Sequence, residues 1–78
     1  MDQEQIKSIV EAAFPDSEVQ ISGDGRHFDM LVVSEQFDGA RTVKRQQQVY
    51  GVLNEHIASG AIHALNIKAF TPEEWAAR

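Results

Sequence analysis

The chain has 78 residues, a net charge of −5 and no cysteine. This length is enough for one small domain, residues 1–78, built around a single core. Without cysteine the chain cannot form disulfides, thiolate zinc sites or, by itself, an iron–sulfur cluster held by thiolates. The acidic balance argues against general nucleic-acid binding through phosphate neutralisation. No apolar run suggests a membrane span or a secretory signal, so we expect a cytoplasmic protein without a membrane partner.

The first predicted element is an amphipathic helix over residues 3–14. Asp2 is its expected N-cap, and Pro15 ends it. Apolar residues recur at helical spacing and should form its buried face: Ile6, Ile9, Val10, Ala13 and Phe14.

A β-hairpin is predicted next. Residues 17–22 and the segment that begins at His27 alternate apolar and polar side chains, as half-buried strands do. The sequence GDG at 23–25 predicts the turn between two antiparallel strands. The second strand should bury one face: Phe28, Met30 and Val32.

A loop, FDGA at 37–40, precedes a long helix from about residue 41 to residue 58, with Gly60 as its C-cap. Gly51 lies mid-helix at a cost of roughly 1 kcal/mol relative to Ala, which suggests close packing or a kink. The apolar residues that keep helical phase are Val43, Tyr50, Leu53 and Ile57.

The chain ends with a third strand, Ala64–Phe70, and a short helix. In TPEEW, Thr71 is the expected N-cap, Pro72 the first helical residue, and Glu74 the partner that completes a capping box. Trp75 and Phe70 are interpreted as core and helix-docking residues.

This order, α-β-β-α-β-α, predicts an α+β fold with a three-stranded mixed sheet packed against helices. The second strand, long helix and third strand form a βαβ unit, so these strands should be parallel, with a right-handed crossover. His27 and His63 each begin one of them, and both imidazoles should therefore lie at one edge of the sheet. With the first strand between them, they would be roughly 9–10 Å apart, too far to share a metal ion.

Three cations open the long helix: Arg41, Lys44 and Arg45. They form either a partner-binding patch or an ordinary solvated helix start. The acidic residues of the loops and strand ends are interpreted as solvated charges: Asp24, Asp29, Glu35 and Asp38. No nucleophile with a base, phosphate-binding loop or closed metal site is recognisable, so the chain is not expected to be an enzyme.

The segment 37–75 resembles the signature region of the BolA family: F-x-G, a basic helix start, V-Y-x-x-L, I-H-A-L and T-P-x-E-W. The hairpin sequence GDGRHF fits the variable histidine- or cysteine-containing loop of that family. The likeness covers nearly the whole chain and is greatest to the short bacterial members associated with acid stress.

The resemblance implies a class II KH-like fold and a monothiol glutaredoxin partner. The two proteins would share a [2Fe–2S] cluster, with thiolates from the glutaredoxin and glutathione, and none would be bound by the isolated chain. His63 matches the family's histidine ligand, and His27 matches the second ligand in the hairpin loop. The isolated chain is expected to be a monomer or a weak homodimer.

The chemistry of the residues is compatible with this implication. Imidazole can replace thiolate on one iron of a [2Fe–2S] cluster, and a cysteine-free chain needs a partner's sulfur to complete the coordination. An imidazole must be neutral to bind iron, so acidification should weaken such a site. For His27 a solvated loop residue remains the alternative, and for His63 a strand-edge residue bonded to a carbonyl; His56 is interpreted as a surface residue.

A second function remains open. A KH-like layout with Arg41, Lys44 and Arg45 at a helix start could bind DNA as a transcriptional regulator. However, KH domains use a GxxG loop, whereas the corresponding stretch here, FDGART, contains only Gly39. Three clustered cations on an acidic chain would also bind weakly and in a salt-sensitive manner.

Overall fold

The helices and strands occur in the predicted order in the computed structural model, which describes residues 1–78. The elements are α1 (Gln3–Ala13), β1 (Glu18–Gly23), β2 (His27–Val33), a 3-10 turn (Glu35–Phe37), α2 (Thr42–Ala58), β3 (Ala64–Phe70) and α3 (Pro72–Ala77). No helix is long and apolar enough to cross a membrane.

The helix ends follow the local sequence signals. The Asp2 side chain accepts from the Gln5 backbone N–H while the Gln5 side chain accepts from the Asp2 N–H, which makes a capping box. Thr71 and Glu74 form the same arrangement at α3. Gly60 follows α2 with φ of 82°, a conformation that glycine adopts without steric penalty.

The sheet has the order β1-β2-β3, with β1 antiparallel and β3 parallel to β2. This mixed three-stranded sheet confirms the predicted α+β fold. Helices α1 and α2 cover the face that carries the alternate apolar residues of β2, and a single core lies between the layers. Its buried members are Ile6, Val10, Phe14, Val19, Phe28, Met30, Val32, Phe37, Val49, Leu53, Ile62 and Ile67.

The buried face of α2 differs from the prediction. Val43 is 65% exposed and Tyr50 36% exposed, whereas Arg45, Val49 and Leu53 are buried. The buried positions follow one another at intervals of four residues, the spacing of a single helix face. Leu53 is buried and Ile57 packs against the core as expected, whereas Val43 and Tyr50 lie off this face, which contains a buried arginine instead.

The prediction of close packing at Gly51 is also wrong. A Cβ atom at this position would meet no atom within 4 Å, and the residue is exposed. The FDGA segment, interpreted as a loop, contributes Phe37 to the core with no exposed surface, and its ring lies 5.4 Å from that of Phe14.

Side chains of α2 cover the free edge of β3. Tyr50 Oη donates to the Leu65 carbonyl at 2.7 Å, and Gln46 Nε2 donates to the Ile67 carbonyl at 3.1 Å. Arg45 Nη1 donates to the Ala69 carbonyl at 3.2 Å. These carbonyls alternate along the strand and point away from β2, because Ala64 and Phe70, at the other set of alternate positions, make hydrogen bonds on the β2 side. Three side-chain donors of α2 therefore fix the position of this helix along β3.

Candidate functional site at the histidine edge

His27 and His63 lie at the same edge of the sheet. His27 begins β2 and pairs with Ala64, the first residue of β3, while His63 immediately precedes that strand. The Ala64 N–H donates to the Arg26 carbonyl at 3.1 Å, which joins the hairpin loop to the start of β3. Because β2 and β3 are direct neighbours, the strand starts are one strand spacing apart, about 4.8 Å. Both histidines are exposed.

Asp24 organises the hairpin loop before His27. Its Oδ1 accepts hydrogen bonds from the backbone N–H groups of Arg26 and His27, each at 2.9 Å. These two bonds, with that of His27 first in effect, hold the pKa of the Asp24 carboxyl at about 2. The Asp24 N–H in turn donates to the His27 carbonyl at 3.2 Å. Asp24, interpreted from sequence as a solvated charge, therefore defines the turn.

Two glycines allow this turn to form. Gly25 has φ of 93°, in the left-handed region that favours glycine. A Cβ atom at Gly23 would overlap the His27 carbonyl oxygen, so only glycine allows the hairpin to close here. An aspartate followed by glycine in a predicted turn is the signal that could have revealed the role of Asp24 from sequence.

His63 is held by its backbone neighbours rather than by its imidazole. The preceding residue, Ile62, is buried, and its N–H donates to the His56 carbonyl at 3.1 Å. No hydrogen bond of the structure involves the His63 ring, so the interpretation of a carbonyl-bonded strand-edge histidine does not describe it. His56 is half-buried at the end of α2, not fully at the surface as predicted.

The surface beside His27 is polar and open. A shallow depression there is bordered by His27, Asp29 and Asn66, and Asn66 Nδ2 donates to Asp29 Oδ1 at 3.2 Å. No group of three or more histidine, aspartate or glutamate side chains is arranged to hold a metal ion. The exposed imidazoles of His27 and His63 are nitrogen donors of the kind that can bind a metal ion, and we call this pair the half-site.

Arg45 does not belong to a free basic patch. Its side chain is 11% exposed. The guanidinium donates to the Ala40 carbonyl at 2.7 Å and to Glu74 through two hydrogen bonds of 2.5 and 3.0 Å. The hydrogen bonds to Glu74 raise the pKa of Arg45. The hydrogen bonds of Arg45 are therefore directed into the fold, and the structure gives this residue a structural role; its predicted part in partner or nucleic-acid binding stays a prediction.

Arg41 and Lys44 remain exposed at the start of α2. Arg41 is the N-cap residue, and its side chain makes no capping hydrogen bond. This helix start lies near the end of β3, where Arg45 binds the Ala69 carbonyl, while His63 precedes the beginning of β3. Seven residues of strand separate the two features, a length of about 20 Å. The basic helix start and the two histidines thus lie at opposite ends of the sheet.

The family model described as BolA-like protein matches residues 7–74. The chain belongs to the BolA-like family, and the α+β fold described above agrees with this membership.

Two curated relatives and one solved structure show how close the likeness is. Acid stress protein IbaG of Escherichia coli strain K12 is 51% identical over 76 residues, covering 97% of this chain and 90% of the relative. The DNA-binding transcriptional regulator BolA of Haemophilus influenzae is 45% identical over 56 residues, covering 72% of this chain and 53% of the relative. A BolA protein homologue from Coxiella burnetii superposes with a TM-score of 0.87 at 35% identity, covering 97% of each chain.

Proposed function

We propose that this protein is an adaptor that pairs with a monothiol glutaredoxin and contributes His63 and His27 to a shared [2Fe–2S] cluster, in iron–sulfur trafficking or iron and acid-stress regulation. The observation that carries the proposal is the exposure of both imidazoles at one sheet edge, on neighbouring strands that start together. The BolA-like family membership supports it.

Each part of the chain would have a separate task at this edge. The α2–β3 connection, ordered by Gly60 and buried Ile62, presents His63. The Asp24 turn presents His27, and the hydrogen bond from Ala64 to Arg26 keeps the two presenting segments together. The partner glutaredoxin and glutathione would supply the thiolates that this cysteine-free chain lacks. Replacement of thiolate by imidazole on one iron raises the reduction potential of a [2Fe–2S] cluster.

Circular dichroism in the visible range tests the proposal. Addition of the protein to a cluster-loaded monothiol glutaredoxin should change the cluster spectrum, and His63→Ala should abolish that change. His56→Ala is the matched control, because it removes an imidazole that lies on α2 outside the proposed half-site. A wild-type mixture without spectral change, or the same change with His63→Ala, would refute the proposal.

The alternative function is that of a DNA-binding transcriptional regulator. It is favoured by the exposed pair Arg41 and Lys44 at the uncapped start of a 17-residue helix, where free backbone N–H groups and the helix dipole attract phosphate. The description of the Haemophilus influenzae relative as a DNA-binding transcriptional regulator supports it. With Arg45 engaged by Glu74, only two of the three cations are free, which reduces the expected affinity.

Fluorescence anisotropy with labelled duplex DNA, titrated at several salt concentrations, tests this alternative. If the helix start binds phosphate, the double substitution Arg41→Ala with Lys44→Ala should weaken binding and lower the salt dependence by about two phosphate contacts. The double substitution His27→Ala with His63→Ala should leave binding unchanged. Equal binding by the wild type and the Arg41/Lys44 variant would eliminate the alternative.

A further inference from the structure

We infer that Asp24 is a positioning residue for His27: its two carboxylate oxygens set the backbone and the ring orientation separately, so that the imidazole presents Nε2 outward as the donor atom. The inference deepens the proposed function, on which it rests for the identity of the bound group. The orientation itself is a property of this chain alone.

The first oxygen of Asp24 sets the backbone. Oδ1 accepts both hydrogen bonds of the turn, from Arg26 and His27, at 2.9 Å each. Because the His27 N–H is one of these donors, the Cα of His27 is placed directly by the Asp24 side chain. The turn is closed in the other direction by the Asp24 N–H to the His27 carbonyl at 3.2 Å.

The second oxygen faces the ring. Oδ2 lies 3.7 Å from His27 Nδ1, an ion-pair distance somewhat longer than a hydrogen bond. In a neutral imidazole, the nitrogen that faces an acceptor carries the proton, and the other nitrogen keeps the lone pair that binds a metal. A carboxylate beside Nδ1 therefore favours the tautomer in which Nε2 is free to bind.

Because both side chains are exposed, Asp24 affects the orientation and tautomer of the His27 ring rather than the stability of the fold. The side chains of Asp24 and His27 are 69% and 71% exposed, and water screens an ion pair in this setting. The other nearby carboxylate, Asp29, is hydrogen-bonded to Asn66. Only Asp24 among the acidic residues has an oxygen at ion-pair distance from the His27 ring.

The division of labour between the oxygens makes Asp24→Asn a selective test. The amide oxygen can keep both backbone hydrogen bonds, while the amide NH₂ replaces Oδ2 and offers Nδ1 a donor in place of an acceptor. Asp29→Asn is the matched control, because it removes a carboxylate two residues from His27 that is not within ion-pair distance of the ring and is hydrogen-bonded to Asn66. Backbone amide shifts would verify that the turn persists in each variant.

Long-range ¹H–¹⁵N spectra of the histidine rings, recorded at one fixed alkaline pH, report the tautomer directly without any iron or partner. We expect His27 to be protonated mainly at Nδ1 in the wild type and in Asp29→Asn, and to shift toward protonation at Nε2 in Asp24→Asn. The His63 and His56 signals should stay unchanged. An unchanged His27 signature in Asp24→Asn would overturn the inference.

A second measurement connects the orientation to the proposed function. In mixtures with cluster-loaded glutaredoxin, Asp24→Asn should require more protein than Asp29→Asn for the same spectral change, by about tenfold, the lower end of the range for lost outer-shell partners of metal ligands. If the tautomer shifts but the titration equals that of the wild type, the positioning role is refuted while the proposed function stands. If the wild type gives no cluster response but the tautomer shifts, the ring orientation is supported and the proposed function fails.

Discussion

Arg45 and Glu74 join the long helix to the C-terminal helix through two parallel hydrogen bonds, Nη1 to Oε1 at 2.5 Å and Nη2 to Oε2 at 3.0 Å. Glu74 also accepts from the Thr71 N–H at 2.9 Å, so the same carboxylate completes the capping box of α3. Arg45 further binds the carbonyls of Ala40 and Ala69. One guanidinium thus holds the start of α2, the end of β3 and α3 together.

Replacement of Arg45 by alanine should destabilise the fold. The substitution removes the charged hydrogen bonds and leaves two carbonyls and a carboxylate without their donor, a loss of about 2 kcal/mol. In a domain of this size we expect a decrease in Tm of roughly 10 °C, measured by thermal denaturation. Lys44→Ala, at the exposed neighbouring position, should leave Tm almost unchanged. Equal Tm values for the two variants would contradict the prediction.

The same ion pair predicts how stability depends on pH. The Arg45 guanidinium, acting first through its hydrogen bonds, lowers the pKa of Glu74 from 4.5 to about 2. Because the folded-state pKa is lower than the unfolded one, this contribution is fully present above about pH 4.5 and is lost as the pH falls toward 2. Urea unfolding followed by Trp75 fluorescence between pH 6 and pH 3 should show this loss. Glu74→Gln should be less stable at pH 6, and its free energy of unfolding should fall less on acidification. If the free energy of unfolding of this variant depends on pH as steeply as that of the wild type, the Arg45–Glu74 pair is not the cause.

Two valines on opposite faces of α2 test the corrected core. Val49→Ala removes two buried methyl groups and should reduce the free energy of unfolding by about 2 kcal/mol. Val43→Ala changes a residue that is 65% exposed and should stay within about 0.5 kcal/mol of the wild type. Both values can be obtained from urea denaturation, and a larger effect at Val43 would show that α2 is rotated from the orientation described.

The side chains of α2 that cover the β3 edge should limit self-association of the protein. An unprotected strand edge can pair with another chain, and side-chain cover is one way to prevent it. Tyr50→Phe removes the hydrogen bond to the Leu65 carbonyl and should cost about 1 kcal/mol. Combined with Gln46→Ala, it should expose two carbonyls and increase self-association in sedimentation velocity experiments over a range of concentrations. Gln47→Ala with Gln48→Ala, at exposed positions of the same helix, is the control. If both double variants sediment identically, the hydrogen bonds from Tyr50 and Gln46 do not prevent self-association through β3.

Much of the fold was predictable because local signals and the global arrangement agree. Asp2 and Thr71 cap helices as their sequence contexts indicate, and the bounds of β3 are as predicted. The parallel pairing of β2 and β3, predicted from the βαβ unit, brings His27 and His63 to one edge of the sheet as expected. Strand alternation also identified the buried face of β2 correctly.

Two errors show what hydrophobic periodicity and local propensity cannot predict. Val43 was assigned to the core because it is apolar, but the corresponding helix face contains Arg45, whose burial is compensated by Glu74, 29 residues later. Gly51 was interpreted as a sign of close packing or a kink because glycine is unfavourable in a helix, but no neighbouring element approaches it. Polar residues become internal only when tertiary structure supplies their partners, and hydrophobic periodicity contains no information about those partners.

The sequence by itself determined the element order, the helix caps, the hairpin turn and the absence of any thiolate ligand, because these depend on neighbouring residues or on composition. Only the tertiary structure decided that Arg45 lies inside, that Arg41 and Lys44 lie about 20 Å from the histidine edge, and that Asp24 faces the His27 ring. The positions of the three cations follow from how α2 packs along β3, between residues far apart in the chain. The position of the Asp24 carboxylate beside the His27 ring follows from the closed geometry of the hairpin turn, which the sequence pattern does not specify atom by atom.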